Sequence, residues 1–407
     1  MDEWQTENLD ACLETLIDYR GRSPLKSLTG IPVLSAKVVK TTGLIQPIEQ
    51  MIATDYYSTW MVRGLPLPGD VVMTTEAPLG EVIQLDDQTA RYALGQRVVC
   101  MRGRAQKLDN TFLRYLLSSP AQQAILAQYA TGSTVLGISQ KALRSVPISF
   151  PGFEEQKRIG VLLKSLDDKI ALNLRINETL EATAQAIFRD WFVDFGPTHA
   201  KMNGRSPYLT SDIWSLFPDK LDESGRPVGW NERRVEDILE LAYGKALKSD
   251  ERTFGSIPVY GSGGVTGYHN EALVKEPSVV VGRKGSVGTL YWEDRPFFPI
   301  DTVFYVKPKA PLVFCYYQLK TLGLKTMNTD AAVPGLNRSN VYRLPVLWSS
   351  DGLPELFSEL VTPFRQRMKV DSEESSRLAS TRDLLLPKLM SGEIKVKDAE
   401  EKIGEAV

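Results

Sequence analysis

From Phe153 to Phe188 the chain has no proline and one glycine, Gly160. Ile159, Leu163, Leu166, Ile170, Asn173, Asn177, Leu180, Ala184 and Ile187 follow one another in alternating steps of four and three. That stepping places all nine on one stripe of an α-helix, the seam of a coiled coil. Seven are apolar, and the two Asn sit mid-seam, where a buried amide fixes register or partner. A helix of about 36 residues is ~54 Å long, more than one small domain needs. A second stretch, Pro354 to Gly392, carries Val361, Phe364, Met368, Ser375, Leu378 and Leu385 on one seam. Its middle is more polar, because Asp371 falls on the same stripe.

Elsewhere the pattern is shorter. Pro32-Val33-Leu34-Ser35 and Asp70-Val71-Val72-Met73-Thr74 are brief apolar runs bounded by Gly and Pro, which predicts strands. Thr111 to Leu117 and Ala121 to Tyr129 predict helices, with Ser119 capping the second and Pro120 in its first turn.

These segments come twice. Gly30-Ile31-Pro32-Val33-Leu34-Ser35 has a partner in Ser256-Ile257-Pro258-Val259-Tyr260-Gly261. Val71-Val72-Met73 with Leu79-Gly80 is echoed by Val279-Val280-Val281 with Val287-Gly288. Val135-Leu136-Gly137-Ile138-Ser139 is echoed by Val333-Pro334-Gly335-Leu336-Asn337, and Pro147 and Pro345 follow at the same distance. A repeat of about 200 residues is the length of a domain, not of a solenoid unit. The expected class is α+β, two pseudo-repeated globular domains each followed by a long helix. The expected boundaries are 1–150 and 230–348 for the globular domains and 151–195 and 349–393 for the helices. A linker at 196–229 carries an apolar patch, Ile213-Trp214-Ser215-Leu216-Phe217, expected to dock. A charged tail, 394–407, is expected to fray.

Among 407 residues, 43% are hydrophobic and 24% charged, the balance of an ordinary globular protein. The opening Met1-Asp2-Glu3-Trp4-Gln5 is acidic, with no signal-peptide pattern, and no apolar run approaches the ~20 residues of a membrane span. A cytoplasmic protein is expected. Cys12, Cys100 and Cys315 are isolated, as suits small buried side chains in a reducing compartment. The net charge of −2 does not advertise nucleic-acid binding, but its distribution is uneven. Segment 226–348 has 16 basic and 12 acidic residues, 1–150 is balanced, and 151–200 has 6 basic against 8 acidic.

The catalytic inventory is thin. His199 and His269 are the only histidines, and neither has a second ligand at metal spacing, so no metal site is expected. There is no nucleophile elbow, and Gly244-Lys245-Ala246 lacks the rest of a phosphate loop. Gly261 to Gly267 has the wrong spacing for a dinucleotide loop, and no Asn-Pro-Pro-Tyr/Phe motif of amino-methylating enzymes occurs. No reaction and no cofactor are expected of this chain.

Binding residues are easier to find. Copy one offers Tyr19, Arg20, Arg22, Lys26 and Lys37, and copy two offers Tyr243, Lys245, Lys248, Tyr260 and Ser262 in matching loops. Copy two adds Arg283, Lys284 and Ser286 in a glycine-rich loop, where backbone N–H groups and cations suit phosphate. The same residues also make an ordinary hairpin with a solvated tip. Ser139, Gln140 and Lys141, and Asn337, Arg338 and Asn340, are of types that read base edges; they equally suit helix N-caps. The copies agree in scaffold residues and differ in these polar ones, as expected of one fold reading two sequences.

Leu166-Asp167-Asp168-Lys169-Ile170 through Asn173, Asn177, Leu180 and Phe188 to Trp191-Phe192-Val193-Asp194-Phe195 resembles the central helix of type I restriction–modification specificity subunits. Leu216-Phe217-Pro218, Gly229-Trp230, Gly282 to Gly288 and Leu384 to Glu393 strengthen the resemblance, which covers nearly the whole chain. Copy one departs from it: Trp4 has no Gly-Trp lead-in, and the Met73–Gly80 loop lacks the Arg-Lys pair of copy two. The resemblance implies two target-recognition domains, each reading one part of a bipartite double-stranded DNA site, and two helices packed antiparallel as a coiled-coil spacer. It further implies two methyltransferase subunits bringing S-adenosylmethionine, and restriction/translocase subunits using ATP and Mg. The competing expectation is a two-headed coiled-coil scaffold that binds no DNA.

Overall fold

The computed structural model of this chain describes residues 4–132, 134–327 and 335–406. Met1, Asp2 and Glu3 of the opening segment, and Val333 and Pro334 of the repeat, lie outside the described residues. The chain divides into two compact units. One comprises residues 1–172 and 373–407, the other 173–372. The long helices Phe153–Phe192 and Leu353–Met390 therefore each contribute to both units.

The first unit is built on a four-stranded antiparallel sheet ordered Leu13–Asp18, Val98–Gly103, Val71–Thr75, Leu79–Gln84. Apolar side chains cover both faces, and this is why Val71-Val72-Met73 reads as an unbroken apolar run. Alternate residues of a strand point to opposite faces. Val71, Met73, Val99 and Met101 enter one core with helix Asn110–Ser118. Val72, Val98 and Cys100 enter another with Val33, Ile52 and Trp60. A three-stranded patch places Ile31–Leu34 between Met51–Ile52 and Ala93–Leu94. Helix Pro120–Tyr129 starts as its sequence predicts, with Ser119 Oγ accepting from the Gln122 N–H at 3.3 Å.

The second unit repeats this plan. Its sheet is ordered Leu239–Tyr243, Val303–Pro308, Ser278–Gly282, Leu290–Glu293. Val279, Val281 and Phe304 face the helices, while Val280 and Val303 face a smaller cluster with Tyr260 and Phe297. The three-stranded patch has the same order and senses, with Ile257–Gly261 central, antiparallel to Gly264–His269 and parallel to Phe298–Pro299. Phe217 of the linker patch is buried against Trp191.

Each unit also holds a piece of both long helices, running antiparallel within it. In the first, Ile159 and Leu163 share a core with Leu385 and Leu389. There Asp167 accepts from three groups: Arg382 Nη1 at 2.6 Å, Arg114 Nη2 at 2.8 Å and Tyr115 Oη at 2.7 Å. In the second, Phe188, Trp191 and Phe192 pack on Phe357. Glu181 accepts from Arg365 Nη1 at 3.1 Å, from Tyr317 Oη at 3.0 Å, and from Lys320 Nζ. Each carboxylate ties one globular domain to both helices. The two seam amides lie in the second unit, where Asn173 Nδ2 donates to the Asp371 carbonyl at 3.4 Å and Asn177 Nδ2 to the Met368 carbonyl at 3.3 Å. Asp371 itself is buried and charge-paired with Arg367 at 2.8 Å, which accounts for the polar middle of the second seam.

Candidate nucleic-acid interface

Both units staple a loop to a helix start in the same way. After strand Ser278–Gly282, Lys284 bridges to Gly335, and the Leu336 N–H donates to the Arg283 carbonyl at 2.8 Å. After Val71–Thr75, Glu76 bridges to Gly137, and the Ile138 N–H donates to the Thr75 carbonyl at 3.0 Å. Next come the short helices Arg338–Tyr342 and Gln140–Arg144, capped by Asn337 and Ser139. Asn337 Oδ1 accepts from the Ser339 N–H at 2.9 Å and Ser139 Oγ from the Ala142 N–H at 3.1 Å. Capping occupies one acceptor on each and leaves the Asn337 amide donors and the Ser139 hydroxyl proton for a ligand.

In the second unit this junction is cationic and aromatic. The Arg283 and Arg338 guanidiniums lie 4.9 and 4.8 Å from the centroid of the Tyr243 ring, which is 47% exposed. Arg283 Nη1 donates to the Asp301 carbonyl at 3.0 Å and Arg338 Nη1 to the Leu241 carbonyl at 3.3 Å. Each contact fixes a guanidinium that still has donors to spare, and each cation–π pair adds roughly 0.5–1 kcal/mol. Lys284, Ser286 and Lys245 are exposed. Lys248 is exposed and pairs with Glu251 at 3.8 Å. Asn340 is half-buried and donates its N–H to Asn337 Oδ1 at 3.4 Å.

The first unit fills the same positions differently. Sheet register pairs Asp18 with Val99 as it pairs Tyr243 with Phe304. Asp18, not Tyr19, is therefore the counterpart of Tyr243, a correction of one residue. A one-residue offset turns a side chain to the opposite face. Tyr19 accordingly is 1% exposed and packs against Trp60, so it offers no surface to a ligand. Asp18 Oδ2 accepts from Arg20 Nε at 2.7 Å, and Arg20 Nη1 donates to the Ile138 carbonyl. Glu76, at the position of Lys284, pairs with Arg97 at 2.5 Å. Two ion pairs thus stand where the second unit has Tyr243 and Lys284.

Arg20, Ser139 and Gln140 come together around an open hollow of about 550 Å³, with Asp18 and Arg63. Arg63 escaped the sequence reading; its Nη1 donates to the Asp18 carbonyl at 2.7 Å, and its only sequence signal is a position shortly before a glycine–proline turn. Arg22 lines a separate hollow with Tyr56 and Arg63. Lys26, Lys37 and Lys141 are exposed. Two candidates in copy two also lie apart. The Tyr260 ring is buried and its hydroxyl donates to Glu293 Oε2 at 2.9 Å, which removes it from the surface. Ser262 is half-buried, and its carbonyl accepts from Thr289 Oγ1 at 2.8 Å. Of the seam residues, Ile159, Leu163, Leu166, Asn173 and Ala184 are buried; Ile170, Asn177, Leu180 and Ile187 are half-buried. Among the described residues no helix is long and apolar enough to cross a membrane.

Known proteins resemble this chain over most of its length. The chain is 24% identical over 402 residues to the Type I restriction enzyme HindI specificity subunit of Haemophilus influenzae, covering 80% of this chain and 86% of that one. It is 23% identical over 357 residues to the MjaIX specificity subunit of Methanocaldococcus jannaschii, covering 81% and 78%. Its fold matches the crystal structure of a type I restriction-modification system S subunit from M. genitalium with a TM-score of 0.61, 22% identity, and coverage of 95% and 96%. Residues 28–182 and 227–346 match the family described as Type I restriction modification DNA specificity domain, one match for each copy of the repeat. The chain belongs to that family and is a type I restriction–modification specificity subunit.

Proposed function

We propose that this chain reads double-stranded DNA without catalysing a reaction, each globular domain reading one part of a bipartite site. One observation carries the reading. The two units repeat one stapled junction and fill it with different chemistry: Arg283, Lys284, Arg338 and Tyr243 in one, the Asp18–Arg20 and Glu76–Arg97 pairs in the other. Arg and Asn recognise purine edges in the major groove, whereas carboxylates accept from cytosine N4. Two such junctions would therefore read unlike half-sites. The proposed readers are 1–150 and 230–348; helical segments 151–195 and 349–393 set the gap and dock two methyltransferase subunits. Those subunits would bring S-adenosylmethionine, and restriction/translocase subunits would add ATP and Mg chemistry, all within the cytoplasm. A net charge of only −2 fits a chain whose partners close around the DNA.

The test uses the assembled complex. Arg338→Ala should relax the second half-site by about 1–3 kcal/mol at one base pair. Gln140→Ala should relax only the first. The chain without partners should show no turnover with S-adenosylmethionine or ATP. Activity of the isolated chain would defeat the non-catalytic assignment.

A further inference from the structure

Three residues before strand Ile31–Leu34 stands Leu28, and three before Ile257–Gly261 stands Phe254. Register makes these strands equivalent, since Leu34 pairs with Leu94 as Tyr260 pairs with Pro299 in the parallel ladders. Both side chains are 99% exposed. A single exposed apolar residue needs no explanation. Two at the same position of two copies do need one.

The loops hold these side chains out on a fixed base. The residue before each tip is tied to the neighbouring strand: the Ser27 N–H donates to the Met51 carbonyl at 2.9 Å, and the Thr253 N–H to His269 Nδ1 at 3.1 Å. A glycine lies tight on that strand just after each tip, two residues on in the first loop and the next residue in the second. A Cβ on Gly30 would stand 2.0 Å from the Ile52 oxygen, and one on Gly255 2.3 Å from the His269 oxygen. Cations precede each tip at the same spacing, Arg22 and Lys26 before Leu28, Lys248 and Arg252 before Phe254. Arg22, Lys26 and Lys248 are exposed; Arg252 is half-buried, and its Nη1 donates to the Thr266 carbonyl at 2.8 Å. A rigid apolar point flanked by cations suits a polyanion with an apolar interior, and a stacked DNA duplex has both properties.

We infer that Leu28 and Phe254 are wedges, one for each half-site, that enter between adjacent base pairs and unstack them, with the flanking cations on nearby phosphates. This rests on the DNA-reading function proposed above. Unstacking is easiest at pyrimidine–purine steps. The wedges therefore add preference at a step that no hydrogen bond reads.

The experiment places 2-aminopurine at successive positions of both half-sites and follows its fluorescence on binding the complex assembled with its methyltransferase subunits. The wild type should brighten one step in each half-site. Leu28→Ala should abolish the signal in one half-site only and Phe254→Ala in the other, each lowering affinity about tenfold. An abasic gap at the affected step should restore the affinity. Salt-dependent DNA binding by the wild type with no brightening at any step would overturn the wedges and leave DNA reading intact. So would alanine variants that bind DNA normally but lose methyltransferase subunits or binding to anionic vesicles. Absence of salt-dependent DNA binding by the wild-type complex would instead remove the reading on which the wedges rest.

Discussion

Replacing Asp167 with Asn would take the charged acceptor from three donors at once, Arg382, Arg114 and Tyr115, now 2.6 to 2.8 Å away. Asn retains one neutral acceptor oxygen, which can keep the two donors that now share Oδ2, Arg114 and Tyr115, but turns an amide NH2 toward Arg382. One bond to a charged group, worth roughly 1.5–3 kcal/mol, is then lost outright and the other two become weaker bonds to a neutral acceptor. Both guanidiniums are partly exposed, so water recovers much of this. The net cost should be about 2–3 kcal/mol, and about 1–2 kcal/mol for Arg382→Gln, which removes one donor. Because the groups act on one carboxylate, the two changes together should cost at least about 1 kcal/mol less than their sum. Hydrogen exchange resolved by segment is the assay. Protection should fall in Asn110–Ser118 and around Leu385 and Leu389, and stay unchanged in Leu312–Thr321, whose domain depends on Glu181 instead. Additive effects, or equal loss of protection in both segments, would refute the clamp.

Burial disfavours the Glu181 charge, yet hydrogen bonds from Lys320, Gln185 and Tyr317 and the Lys320 charge outweigh it and hold the carboxyl below its ordinary 4.5. Its contribution to stability is therefore complete above that value and is lost as pH falls through the lower folded value; thermal unfolding across pH 3–6 should show this loss, and Glu181→Gln should flatten it. Lys284→Ala should weaken DNA binding on all sequences and lower the salt slope by about one, without changing the site read. Four residues inserted beside Asn173 add ~6 Å of helix against ~3.4 Å per base pair. The unread gap, mapped by methylation, should grow by one or two base pairs, and an unchanged gap in an active variant would remove the helices as its ruler.

The scaffold was legible in the sequence where one physical rule governs. Steps of four and three located the central helix because only one stripe of it is apolar, and the doubled Val-Val runs located an inner strand of each sheet because both faces are covered. The clamps were not legible. Tyr115 and Arg382 lie 52 and 215 positions from Asp167, and nothing local distinguishes Asp167 from its neighbour Asp168, which pairs on the surface with Lys164. The candidate interface was readable by residue type but not by register. Tyr19 and Tyr243 look alike in sequence, and only strand pairing reveals that one is core and the other surface. Leu28 and Phe254 read as ordinary apolar residues, because exposure is a tertiary property.

The most direct test is a genome-wide map of methylated bases in cells carrying the complete system, with this chain either unaltered or as Asn337→Ala/Arg338→Ala. The unaltered chain should yield a bipartite motif with an unread gap, and the variant should degenerate in one half while the other half and the gap stay the same. Degeneracy in both halves, or an unaltered motif in the variant, would contradict the assignment of one domain to one half-site.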